Sequence, residues 1–203
     1  MDKRWRNMLI IVAAIAAVAA ALILVLQPQK PLDFETGLSE LNGAWSKKSA
    51  SIYMDDTQIA ALSPEAISAL KLETMAFRER AAKDSGAETG ALDAAANAYL
   101  ARLDFFAALK ESDAANGAVF FSGVESDSEA CSKIAALEAI QEKLKSLSQK
   151  MAVFEGRAGQ FLQKFPAFAE KSGFRKNPEK LSELEEAVQQ NTQLMAEMRV
   201  DCA

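Results

Sequence analysis

Histidine is absent from all 203 residues. That absence excludes Ser-His-Asp and Cys-His catalysis, most zinc sites, histidine-ligated haem and the commonest general base near neutral pH. Cysteine occurs only at Cys131 and Cys202, without the C-x-x-C spacing of redox enzymes. Phosphate-cradling loops are missing too: Gly86-Ala87-Glu88-Thr89-Gly90 has neither the lysine nor the preceding strand such a loop needs. Glu125-Ser126-Asp127-Ser128-Glu129 has the oxygens of a calcium loop. It lacks the turn glycine and the distal bidentate glutamate, so it reads as helix-start acids. Only 5 prolines and 9 glycines punctuate the chain. Strand-like patterning is confined to Ala118-Val119-Phe120-Phe121. An all-α protein that is not an enzyme, with no cofactor and no metal, is expected.

What the chain does have is one long apolar run. Residues 8–26 read MLIIVAAIAAVAAALILVL, without a polar side chain, glycine or proline. Nineteen helical residues span roughly 28 Å, close to the hydrocarbon thickness of a bilayer. Lys3, Arg4 and Arg6 precede the run, whereas Lys30 is followed by Asp33 and Glu35. Basic flanks stay cytoplasmic, so residues 1–7 are expected inside, 8–27 as a signal-anchor helix, and 28–203 outside. A cleaved signal peptide shares the basic start and apolar core. Cleavage among the alanines, however, would leave Leu22-Ile23-Leu24-Val25-Leu26 as an exposed apolar terminus.

Residues 1–27 hold three cations and one anion, so the net −5 of the whole chain becomes −7 over 28–203. Such an acidic body disfavours nucleic acid, which needs clustered Lys and Arg. About 175 residues suffice for one domain with a real core. Apolar positions recur at helical spacing in five segments, predicting an antiparallel bundle of about five helices. The first covers about 33–53, with Phe34, Leu38, Leu41, Trp45 and Ile52 on one stripe. Ser63-Pro64-Glu65 opens the second by cap, fixed φ and first-turn acid, and Ile67, Leu70, Thr74, Phe77 and Ala81 form its face. The third runs over about 88–115 through Leu92, Ala96, Tyr99, Leu103, Phe106 and Leu109.

Leu137, Leu144, Met151, Ala158 and Phe165 then recur every seven residues, with Leu147, Phe154 and Phe161 between them. Asn177-Pro178-Glu179 opens a last helix through Leu181, Leu184, Val188, Asn191, Met195 and Met198, in which Asn191 could fix register as a buried polar residue. Two such seams predict an antiparallel hairpin. Outside the membrane, Cys131 and Cys202 are expected to form a disulfide. A straight helix over 130–165 would be roughly 54 Å long against about 36 Å for 178–202, leaving the cysteines too far apart. The disulfide is therefore expected together with a bend at Gly156–Gly159.

Phe161, Phe165, Phe168 and Phe174 surround Pro166 among lysines and an arginine. A stripe of that spacing reads first as core and second as a docking patch. The function expected is a membrane-anchored extracytoplasmic helical protein with a structural or protein-interaction role. Its partners would be the lipid bilayer through 8–26 and a second protein or another copy of itself. The alternative is a ligand-binding ectodomain acting through a partner membrane protein, since only about seven residues would remain inside.

Overall fold

A computed structural model describes residues 32–83, 88–116, 127–174 and 178–201; for 113–116, 127–133, 178 and 201 it describes the backbone alone. The chain divides into units 1–31 and 32–203. The anticipated span 8–27 and the strand-like Ala118–Phe121 lie outside the described residues. Among the described residues no helix is long and apolar enough to cross a membrane.

The described part of the second unit is all-α. Its seven helices are α1 (Phe34–Ser46), α2 (Asp56–Ala60), α3 (Pro64–Ala81), α4 (Thr89–Asn116), α5 (Asp127–Lys164), α6 (Ala169–Ser172) and α7 (Pro178–Asp201), with a 3-10 turn at Pro166–Phe168. Helix α3 packs on α4, α4 on α5 and α5 on α7, while α1 crosses α3 and α4 and α2 seats on α4.

The first helix is shorter than its apolar stripe implies. It begins as the sequence predicts, with Asp33 Oδ1 accepting from the Thr36 amide at 2.8 Å. It ends at Ser46 because the chain turns back: Trp45 O accepts from the amides of both Lys48 and Ala50, and Ser49 takes φ +58°. Asn42 Oδ1 anchors the return by accepting from Ser51 Oγ and the Ile52 amide. Ile52 is thus buried from a turn, not from a helix face. The unanticipated α2 follows, its capping box closed by Asp55 and Gln58.

Helix α3 matches its prediction at every stripe position. Ser63 Oγ accepts from the Ala66 amide, and Ile67, Leu70, Thr74, Phe77 and Ala81 are all buried. In α4, Leu92, Ala96, Tyr99, Leu103 and Phe106 are buried likewise. The α1–α4 crossing depends on a missing side chain. A Cβ on Gly37 would stand 2.6 Å from Leu92 Cδ2, so any side chain there would force the buried Leu92 to move.

Helix α5 corrects one expectation. It runs unbroken through Gly156, so the helix does not break over 156–159. A helical glycine costs roughly 1 kcal/mol relative to alanine. Phe154, Ala158 and Phe161, all buried in the core, keep the chain helical across that weak point. The length mismatch with α7 is met by the connection. After Lys164 the chain folds back through Pro166–Phe168 and α6, and Gly173 (φ +68°) turns it again. Gln141 faces Asn191 and Thr192. At equal rise on both helices, α7 therefore starts level with about residue 155 of α5.

Trp45, Tyr99, Phe34, Phe77, Phe105, Phe106 and Phe161 form the centre of the core. Phe34 stacks on Phe168 at 4.3 Å, and Phe161 touches Phe34, Phe165 and Phe174 at 5.4–5.9 Å between ring centroids. Phe161 and Phe174 are in the core and Phe165 and Phe168 pack half-buried against it, in line with the first of the two sequence readings of this stripe. Each buried polar handle has a partner: Trp45 Nε1 donates to Thr74 Oγ1 at 3.0 Å, and Tyr99 OH donates to Ser172 O at 2.5 Å. Burial pushes the Tyr99 hydroxyl far above its ordinary value, which keeps it a neutral donor.

Candidate functional site

A furrow runs along the α4–α5 seam, on the side of α4 away from α1. Tyr99 meets Trp45 of α1 edge-on. Two residues earlier, and so about 200° around the helix, Asn97 faces the furrow instead. One end, of about 430 Å³, has Gly90, Ala94 and Asn97 on the α4 wall and Arg157, Phe161 and Lys164 on the α5 wall. The other, of about 330 Å³, has Ala101 and Asp104 facing Lys150, Val153 and Arg157. Arg157 belongs to both ends, and its Nη1 donates to Asn97 O at 3.2 Å.

Charge on the two walls is unequal. On α4, Asp93 is bound by Arg78 at 2.8 Å and Asp104 by Lys71 at 2.6 Å, both cations coming from α3. On α5, Lys150, Arg157 and Lys164 line the furrow, and among the described residues no carboxylate pairs with any of them. Val153 stands 49 % exposed between them. The arrangement is a polar channel with a cationic wall, open to solvent, whose floor is the apolar core. Sequence reasoning followed the seven-residue recurrence of apolar residues in this helix and missed that of cations. Lys143, Lys150, Arg157 and Lys164 share the same period.

A second polar cluster ties α2, α4 and α7 together. Arg102 donates twice to Asp56 Oδ1, through Nε at 3.2 Å and Nη2 at 2.8 Å, and Lys180 reaches Asp56 Oδ2 at 3.2 Å. Lys180 also lies over the Phe105 and Phe106 rings at 5.6 and 5.5 Å. Burial pushes the Asp56 carboxyl up, but hydrogen bonding and charge from Arg102, then Lys180, outweigh it and hold the group below its ordinary 3.8. A depressed carboxylate contributes stability that is present above the unfolded value and lost as pH falls through the folded one. Asp56→Asn is thus expected to lower the melting temperature at pH 7, with the gap to the parent closing progressively below about pH 4. Thermal melts of both proteins across pH 2–7 (about half-unit steps) check this; a gap independent of pH contradicts it.

Among the described residues no three acidic or cysteine side chains gather where a metal could sit. Part of the acidic run 125–129 lies outside them. Cys131 sits on the α5 backbone, but its side chain, like the whole of Cys202, falls outside the described residues, so the expected pair is not among the groups brought together. Asn191, which the sequence left equally open to facing solvent, is half-buried and hydrogen-bonds across the α5–α7 hairpin as the register reading expects. Its Nδ2 donates to Gln141 Oε1 at 2.7 Å and to Leu137 O at 3.2 Å, and Gln141 Nε2 donates to Thr192 Oγ1 at 2.6 Å and to Val188 O at 3.2 Å.

Compared with family models, curated proteins and solved structures, the chain matches none.

Proposed function

We propose that the chain is a membrane-anchored extracytoplasmic helical protein with a structural or protein-interaction role. In this reading residues 1–7 lie inside, 8–27 span the bilayer and 28–203 lie outside. The observation that carries it is the uninterrupted apolar run 8–26 behind a basic flank, attached to a body that buries its own core. The furrow along α4 and α5 supports the interaction part. It is an open channel between two helices, its acids paired with α3 and its α5 cations paired with no carboxylate among the described residues, a surface suited to an extended partner. No catalytic step is assigned.

The disulfide belongs to the same reading, now with α5 unbroken at Gly156. Gln141 and Thr192 mark one level of the α5–α7 pair. Cys131 is ten residues before the first and Cys202 ten after the second, a spacing that supports the pairing if the helical rise continues at the same rate to 202. Oxidation to the disulfide passes two electrons to a disulfide donor of an oxidising compartment. Membranes prepared from cells making the full chain test both parts together. The chain is expected to stay with the membrane in alkaline carbonate, and non-reducing peptide mapping should recover the two cysteine peptides joined. Release into the carbonate supernatant contradicts the anchor, and two alkylatable thiols contradict the extracytoplasmic pairing.

A further inference from the structure

Four of the six cations of α5 share one seven-residue period. Lys150, Arg157 and Lys164 stand seven residues apart on the furrow wall, about 10.5 Å of rise between neighbours, and Lys143 continues the series toward the amino end. Their charge is uncompensated within the described fold, because the furrow's own acids, Asp93 and Asp104, are held by Arg78 and Lys71. On the facing wall Gly90, Ala94 and Ala101 place little side chain in the channel, between Asn97 and the two acids Asp93 and Asp104, whose carboxylates are already paired with α3. A groove between two packed helices, with small residues on one side and a cation every second turn on the other, is a surface on which a third helix can pack.

We infer that the α4–α5 furrow docks an α-helix of a protein partner that carries carboxylates at seven-residue spacing. The inference rests on the interaction role proposed above. Three carboxylates at positions i, i+7 and i+14 would meet Lys150, Arg157 and Lys164, and the small or apolar residues between them would pack on Val153 and Ala94. A flat anionic membrane could reach only the rim of such a channel. The net −7 of residues 28–203 also opposes a broad anionic surface, whereas a single helix is admitted where the local sign is reversed.

The test uses the full chain in neutral detergent and a fluorescent synthetic helix of three heptads with glutamate at every seventh position. A peptide of identical composition with the glutamates scrambled is the control. Fluorescence anisotropy should show the heptad peptide binding at least about tenfold tighter than the control. Binding should weaken steeply toward about 0.5 M salt, where screening acts within a few Å. The triple variant Lys150→Glu, Arg157→Glu, Lys164→Glu should lose that preference. The triple glutamine variant, which introduces no repulsion, should lose most of it while keeping the parent's helical spectrum and melt. Equal binding of the two peptides, or unchanged binding by the glutamine variant, overturns the inference. So does cation-dependent capture by phosphatidylserine vesicles without peptide preference. The assay has no sidedness, so a body found in the cytoplasm would overturn the topology and leave this result standing.

Discussion

Phe161→Ala is expected to destabilise the helical body by about 3–5 kcal/mol, more than truncation of a ring at the edge of the core. For a domain of this size that corresponds to a fall of roughly 10 °C or more in melting temperature. The ring is 1 % exposed and sits where three parts of the chain converge: Phe34 from α1, Phe165 beyond the end of α5, and Phe174 after α6. Deleting it removes apolar burial and leaves a cavity that cannot collapse, because its walls are rings from separate elements. The half-buried Phe165, truncated the same way, should cost clearly less. Urea unfolding of the two variants provides the comparison. A loss below about 1 kcal/mol for Phe161→Ala would mean that the aromatic cluster is not the keystone of the fold.

Asn191→Ala should cost about 1–3 kcal/mol, out of proportion to a side chain on a partly exposed helix. The reason lies in where α5 and α7 meet. Arg157 faces Asn97, so at equal rise α4 ends level with about residue 138 of α5, and the first turns of α5 run beyond it against α7. Among the described residues, the fully buried apolar ones of that hairpin beyond the main core are Ile140 and Met195. With so little apolar contact, register falls to Asn191, Gln141 and Thr192. Removing Asn191 leaves the buried Gln141 carbonyl without its 2.7 Å donor. Replacing both Gln141 and Asn191 by leucine should recover the lost stability, since no orphaned group then remains. Amide exchange over 134–141 should nonetheless speed up, because two leucines tolerate more than one register. A single variant as stable as the parent, or a double variant as weak as the single, contradicts this.

Where local chemistry and tertiary packing agree, the sequence was legible to the residue. Ser63, Pro64 and Glu65 open α3 by capping, and its five stripe positions are the five that are buried. The start of α1 at Asp33 and the register role of Asn191 were readable for the same reason: a short polar side chain needs a specific partner. The end of α1 was not readable. Ile52 continues the helical period, and only Asn42, reaching from inside the helix to the returning chain, shows that the stripe is completed by a turn. Helix α2 could have been found from Asp55 and Gln58, whose spacing is that of a capping box. Gly156 misled in the opposite direction, because packing of Phe154 and Ala158 outweighs a propensity penalty of about 1 kcal/mol. The furrow escaped notice because its cations gain meaning only beside α4. Alone, a lysine every seven residues reads as a solvated helix edge.

The placement of the body on the outer side of a membrane is the central claim, and side-specific proteolysis tests it most directly. Intact cells or sealed right-side-out vesicles containing the full chain are treated with a protease that cannot cross the bilayer, and the surviving fragments are sized and sequenced. Residues 28–203 should be digested, while a membrane-held fragment beginning at the basic amino terminus and including 8–26 survives. A protected body, or a mature chain that already begins after residue 20, would contradict the placement.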